Sequence, residues 1–356
     1  MSRLTRTLGA LTLACTIPLA GAYAVTPAWA AGCSLDNPIA TGADPSLWYA
    51  NGKYYLVQSD GAASINLRAA STLAGLATAK PKTIWTSPAG TDHSVQTWAP
   101  EIEKVAGHWY IYFAAATDKG NFSDSNDTHR MFAITADTDD PMGTWSWGGK
   151  VADSTDQWAI DGTVFSYNNS LWMLWSGTPD GNGGRAPQQI YIAHMSDPLH
   201  IDQDYRRLIA NPDQSWETSV QAIEEGPEAW ISPTGQLTIV YNANGSWTGS
   251  YSLGALVYNG GDLTTYKSYT KKSLPVFTSA NGVYGPGGES LPVPGENGTT
   301  WNVYHAKTTN KDGWDDRKIF AQPMTWNTDG TPNFGAPQGP QRYNEATGKA
   351  CGHRRY

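Results

Sequence analysis

The chain has 356 residues and a formal net charge of −8, a length that allows one large domain or two ordinary ones. Its basic residues are scattered rather than gathered into a stripe, which excludes a nucleic-acid partner of the usual kind. Charged residues make up only 16% while aromatics reach 12%, with 16 Trp, so packed seams rather than charged surfaces dominate the composition.

The first thirty residues carry an export pattern. Arg3 and Arg6 form a positive start, Leu8 to Ala24 is largely apolar, and Ala28-Trp29-Ala30 offers small residues for cleavage after Ala30. This reads as a secretory signal, residues 1–30, and predicts a secreted protein. The apolar run falls short of a bilayer span and contains Thr and Pro, so no membrane anchor is expected. Residues 31–356 then form a single domain. Cys15 leaves with the signal, and the mature chain keeps Cys33 and Cys351, one at each end. In an oxidising compartment an even pair is usually bridged, and a fold that closes on itself brings its ends together.

The mature part shows abundant Gly and Pro and no long helical periodicity, which predicts an all-β fold. Five apolar and aromatic phrases recur: Tyr54–Asp60, Trp109–Ala115, Leu171–Gly177, Leu237–Ala243 and Asn302–Lys307. Aligned on Ser59, Ala114, Ser176, Asn242 and His305, the steps are 55, 62, 66 and 63 residues. Upstream of each phrase stands a turn signal: Asp44-Pro45, Trp98-Ala99-Pro100-Glu101, Asp161-Gly162, Glu225-Gly226-Pro227 and Gly285-Pro286-Gly287. A fixed period of short strands predicts a five-bladed β-propeller, with each blade's first strand lining a central channel.

Side chains alternate faces along a strand. Acids that start the innermost strands therefore face the channel, and Asp44, Asp161 and Glu225 are expected to converge there. Convergent carboxylates in a polar pit suit hydrolysis of a glycosidic bond. Glu224 should turn to the opposite face, and Glu228 lies beyond the proline. Trp residues at strand ends could stack on sugar rings, whose C–H faces match an indole plane.

Together these segments resemble glycoside hydrolase family 43. The resemblance rests on ADPSLWYANGKYYLV, WAPEIEKVAGHWYIYF, AIDGTVFSYNNSLWMLWSG, EEGPEAW, VYGPGGES, VYHA and DDRKIFAQPMTWNTDGTPNFG, in that order, across nearly all of the mature chain. It implies a five-bladed propeller and an inverting mechanism. Asp44 is then the general base, Asp161 the residue that tunes and orients the acid, and Glu225 the general acid. It also places Trp98 at the buried sugar subsite and Arg317 beside the acids. His305 is implied to face a hydrated calcium or sodium ion, with no cofactor required for the chemistry. Trp158, Trp175, Ser176, Asn242 and Glu289 are further candidates for sugar contact.

Arabinan-cleaving members typically read GPGH where this chain has Gly285-Pro286-Gly287-Gly288. The expected activity is release of L-arabinofuranose from arabinan, arabino-oligosaccharides or arabinose-decorated plant cell-wall polysaccharide, by a monomer. Endo-arabinanase, β-xylosidase and exo-galactanase share the implied fold. A retaining fructan hydrolase is disfavoured because no Arg-Asp-Pro occurs, and a non-catalytic sugar-binding propeller is disfavoured by the three retained acids. The segments Asp118–Arg130 and Gly177–Gln188 are candidate walls of the groove.

Overall fold

The computed structural model describes residues 32–181, 183–185, 187–202 and 206–353. The expected signal at residues 1–30 lies outside these. The described chain is all-β, with two short α-helices, Leu73–Leu76 and Phe122–Asn126, and brief 3-10 turns. Among the described residues no helix is long and apolar enough to cross a membrane.

Five antiparallel sheets follow one another in the chain. The first is Ser46–Ala50, Lys53–Ser59, Ser64–Ala70 and Lys82–Thr86; the second is Val95–Val105, His108–Ala116, Arg130–Ala136 and Trp145–Lys150. The third starts with Ala159–Tyr167, Ser170–Gly177 and Gln189–Asp197, and the fourth runs Glu224–Ile231, Leu237–Ala243, Ser252–Tyr258 and Tyr269–Lys271. The fifth is built on Thr300–Lys307 and Arg317–Trp326, with Tyr284–Gly287 on its inner edge. Its outer neighbour is the N-terminal strand Ala40–Thr41, so the fifth sheet combines both ends of the chain.

Each recurrent phrase of the sequence is the second strand of its sheet or, in the fifth, the strand Thr300–Lys307. Their apolar residues face both ways because each sheet is packed between two others. One core joins Tyr55, Val57 and Ile65 of the first sheet to Ile102, Ile111 and Phe113 of the second. Equivalent cores join the second to the third, the third to the fourth and the fourth to the fifth. The last joins Trp301, Val303 and Ile319 of the fifth sheet to Leu47 and Leu56 of the first.

Trp109, Trp158, Trp230 and Trp301 are fully buried in these seams. Truncating such a residue typically costs about 3–5 kcal/mol, so these four tryptophans hold the sheets together. The termini meet in a three-stranded sheet of Leu35–Asp36, Gln341–Tyr343 and Ala350–His353. Cys33 and Cys351 form a disulfide there across a separation of 318 residues.

Candidate active site

Where the innermost strands begin, the backbone repeats one irregularity. Asp44, Ala99, Asp161, Gly226 and Gly288 all take positive φ, at 44°, 38°, 55°, 54° and 53°. In the second, third and fourth sheets this residue sits inside a register shift, where an extra residue re-aims the strand. A left-handed conformation costs a non-glycine residue about 1–3 kcal/mol and gathers at functional positions. Aspartate tolerates it better than most.

The repeat refines the expected alignment of the acids. Asp44 and Asp161 carry the left-handed φ themselves, whereas Glu225 stands one residue earlier, paired with Asn242. All three nonetheless line one cavity of about 430 Å³.

Their surroundings differ. Oδ1 of Asp44 lies 3.1 Å from His305 Nδ1, and Oδ2 lies 3.8 Å from Arg317 Nη1. Burial alone would raise this carboxyl. The hydrogen bond and charge of His305, with the Arg317 charge, outweigh it and bring Asp44 down to about 2. Glu225 moves the other way. Burial, helped by the Asp44 charge, lifts it to about 7 against the opposing pull of Tyr251 and Arg317. Tyr251 donates its hydroxyl to Glu225 Oε1 at 2.8 Å.

Asp161 Oδ2 accepts the Gly226 N–H at 3.0 Å. It is held well above the usual carboxylate range by burial, then by the charges of Glu225 and Asp44. Its position next to the acid's own strand ties the third sheet to the fourth. The lift of Glu225 comes first from burial and then from the Asp44 charge, not from Asp161, the residue expected to tune the acid.

Of the other sequence candidates, Trp98, Trp158, Asn242, Glu289 and Arg317 also line the cavity. Trp98 stacks on His129 with centroids 4.1 Å apart, and Trp158 donates its indole N–H to the Asn126 carbonyl at 2.8 Å. The Asn242 amide is engaged with backbone. It donates to the Gly226 carbonyl at 3.2 Å and accepts the Gly288 N–H at 2.8 Å. Glu289 is buried, and neither carboxyl oxygen has a protein partner.

Two candidates fall elsewhere. Trp175 packs on Tyr191 in the seam between the second and third sheets and faces a separate small cavity. Strand alternation turns it off the channel side. Ser176 is fully buried, and its hydroxyl is spent on the Glu224 carbonyl at 2.8 Å. Neither is placed to touch a sugar in the cavity.

The competing acids resolve as well. Glu224 points away from the cavity to Lys271, whose ammonium lies 2.5 Å from its carboxylate and 2.8 Å from Glu217. Glu228 does line the cavity, deeper down, where the Thr163 hydroxyl donates to it at 3.2 Å.

Residues outside the repeat complete the walls. Phe122 and Asn126 come from the Asp118–Arg130 segment, and Gly184 and Gln188 from the Gly177–Gln188 segment. Trp247, Tyr251 and Trp314 line the cavity as well. No periodic signal marks these three, since they stand on connections of unequal length. Among the described residues no three His, Cys, Asp or Glu side chains are grouped to hold a metal ion.

Comparison with known proteins agrees with this geometry. An "Extracellular exo-alpha-(1->5)-L-arabinofuranosidase" of Streptomyces avermitilis is 34% identical over 328 residues, covering 89% of this chain and 66% of that protein. "Alpha-L-arabinofuranosidase B" of Pyricularia oryzae is 30% identical, covering 83% of this chain and 61% of that protein. The chain thus spans just under two thirds of these two relatives. The crystal structure of an alpha-L-arabinofuranosidase from Lactobacillus brevis superposes with a TM-score of 0.78 at 33% identity, covering 86% of this chain and 98% of that one. The family model for "Glycosyl hydrolases family 43" matches residues 35–332, and with the acids converging in one cavity, the chain belongs to that family.

Proposed function

We propose that this protein is an inverting, exo-acting α-L-arabinofuranosidase built on a five-bladed β-propeller. The propeller reading is supported by the cyclic order of the cores, in which the fifth sheet packs back on the first. The names of the relatives support the sugar.

The observation that carries the chemistry is the opposite perturbation of two carboxyls in one cavity. Asp44, near 2, is ionised at any working pH, whereas Glu225, near 7, keeps its proton in mildly acidic solution. Inversion needs this pair. Asp44 takes a proton from water as the water oxygen bonds to the anomeric carbon. The bond from that carbon to the leaving oxygen breaks, and Glu225 delivers its proton to that oxygen. Asp161 holds the Gly226 N–H and so fixes the backbone next to the acid. The charge that disfavours ionisation of Glu225, after burial, is that of Asp44.

A hydrated calcium or sodium ion in the channel is the one cofactor proposed. His305 Nε2, both Glu289 carboxyl oxygens and the Asn302 amide are buried without protein partners. Such a lining suits an ion that keeps its water shell. His305 would hold it, and its positive charge would favour the ionised form of Asp44. Secretion through residues 1–30 and a monomeric state complete the proposal; the relative from Streptomyces avermitilis is named extracellular.

The test is incubation with linear α-1,5-arabino-oligosaccharides, following products by chromatography and the first-formed anomer by NMR. Arabinose alone from the start, released as the β-anomer, is expected. Early mixed oligomers would make the enzyme an endo-arabinanase. Release of xylose or galactose from the corresponding glycans, with none of arabinose, would replace the sugar. No product from any of these with retained sugar binding would leave a lectin.

A further inference from the structure

We propose that Trp314 and Phe122 form a binding site for the second sugar of the substrate, the one that leaves. The inference rests on the glycosidase reading above and extends it to the part of the substrate that is not transferred to water.

The cavity is graded in depth. Around its inner end Trp158, Ile160 and Ile223 are 2%, 5% and 4% exposed, close to the carboxyls. At its mouth Phe122 is 58% exposed and Trp314 50%. Nine large apolar side chains are exposed among the described residues, and these two are the ones that line this cavity. A single pentose held against the acids occupies the inner end. The ring bonded to it then reaches the mouth.

Both aromatics are fixed rather than loose. Phe122 opens a short helix whose Asn121 cap accepts the Asp124 N–H. Its carbonyl accepts from Gln96 Nε2 at 2.9 Å, and its ring leans on Trp98 at 6.0 Å. Trp314 donates its indole N–H to Ser246 Oγ at 3.1 Å and meets Trp247 edge-on at 5.6 Å. With that N–H satisfied by protein, what Trp314 offers a ligand is ring surface. A rigid aromatic face gives contact area at little entropic cost, and the C–H face of a neutral sugar is its natural complement. The two residues stand on connections of different sheets, Phe122 between the second and third strands of the second sheet and Trp314 between the two long strands of the fifth.

The experiment compares kcat/KM on methyl α-L-arabinofuranoside with that on α-1,5-arabinobiose. Both have alcohol leaving groups, but only the second carries a second ring. Trp314→Ala should lose about tenfold on arabinobiose, equivalent to about 1.4 kcal/mol, and less than twofold on the methyl glycoside. Trp314→Phe, which keeps a ring, should recover most of the loss. Equal loss on both substrates would overturn the subsite and make Trp314 a support for Arg317, which donates to its carbonyl. A variant that matches wild type on both, with wild type active on both, would overturn the subsite alone. Wild-type protein inactive on both would instead overturn the proposed activity.

Discussion

Tyr251 donates its hydroxyl to Glu225 Oε1 at 2.8 Å and lays its ring parallel to that of His305, 5.7 Å away. One side chain thus braces both the proposed acid and the histidine that holds the proposed base.

The pH profile should separate these contacts. Activity needs Asp44 ionised and Glu225 protonated, so kcat/KM should fall on the alkaline side near pH 7. The Tyr251 hydrogen bond favours the ionised acid, so Tyr251→Phe should raise the Glu225 pKa and move only that alkaline limb upward. His305 favours ionised Asp44, so His305→Asn should move only the acid limb upward from about 2. Arg317 favours the ionised form of both, so Arg317→Ala should move both limbs up. A limb that stays fixed in its variant would remove that contact from the account.

Glu225→Ala should reduce turnover of arabino-oligosaccharides by about 10²–10⁴-fold, the range of general acid catalysis. A substrate with a good leaving group, such as a dinitrophenyl arabinofuranoside, needs little protonation and should lose far less. Equal losses on the two substrates would take Glu225 out of the acid role.

Gly288 stands where arabinan-cleaving relatives are expected to carry histidine, and the structure gives a reason for glycine here. Its φ is 53°, and an added Cβ would lie 2.5 Å from His305 Nδ1 and 2.6 Å from Asp44 Oδ1. Gly288→Ala should therefore displace the base or its histidine. A misplacement of about 1 Å can cost about 10²-fold in rate, and a loss of that order in kcat is expected with the fold retained. Circular dichroism with steady-state kinetics checks it; wild-type kcat would mean that Asp44 is not held by this contact.

How much of this was legible in the sequence varies with the physics. The five phrases were legible because each is a strand buried on both faces, and the acids because each opens an innermost strand. The one-residue offset of Glu225 was not, since the extra residue that re-aims the strand is a backbone event with no fixed residue type. Trp175 and Ser176 go instead to a packed seam and to a backbone carbonyl, a packing outcome that the repeat does not encode. Trp247, Tyr251 and Trp314 were invisible to the repeat, standing on connections whose course depends on tertiary packing. The disulfide was legible because a fold closing on itself leaves its ends adjacent.

Below the site the channel buries more acid than the mechanism uses. Glu103, Glu228 and Glu289 are 4%, 3% and 2% exposed, and Glu101 shares a carboxyl–carboxyl hydrogen bond with Glu228. Burial is the first cause that pushes all four well above the usual carboxylate range, with their mutual repulsion adding to it. Groups raised in the folded state hold protons that the unfolded chain releases near its ordinary carboxylate pKa, about 4.3. Stability from this source is complete below that pH and is lost as pH rises through the folded values. Each such carboxyl contributes a slope of up to about 1.4 kcal/mol per pH unit in that window. Glu103→Gln keeps the shape, removes one titrating group and leaves the proposed catalytic acids in place. Its unfolding free energy, measured in denaturant from pH 5 to 8, should decline less steeply than that of wild type, with the two curves converging in acid. Parallel curves across the range would show that Glu103 titrates alike folded and unfolded.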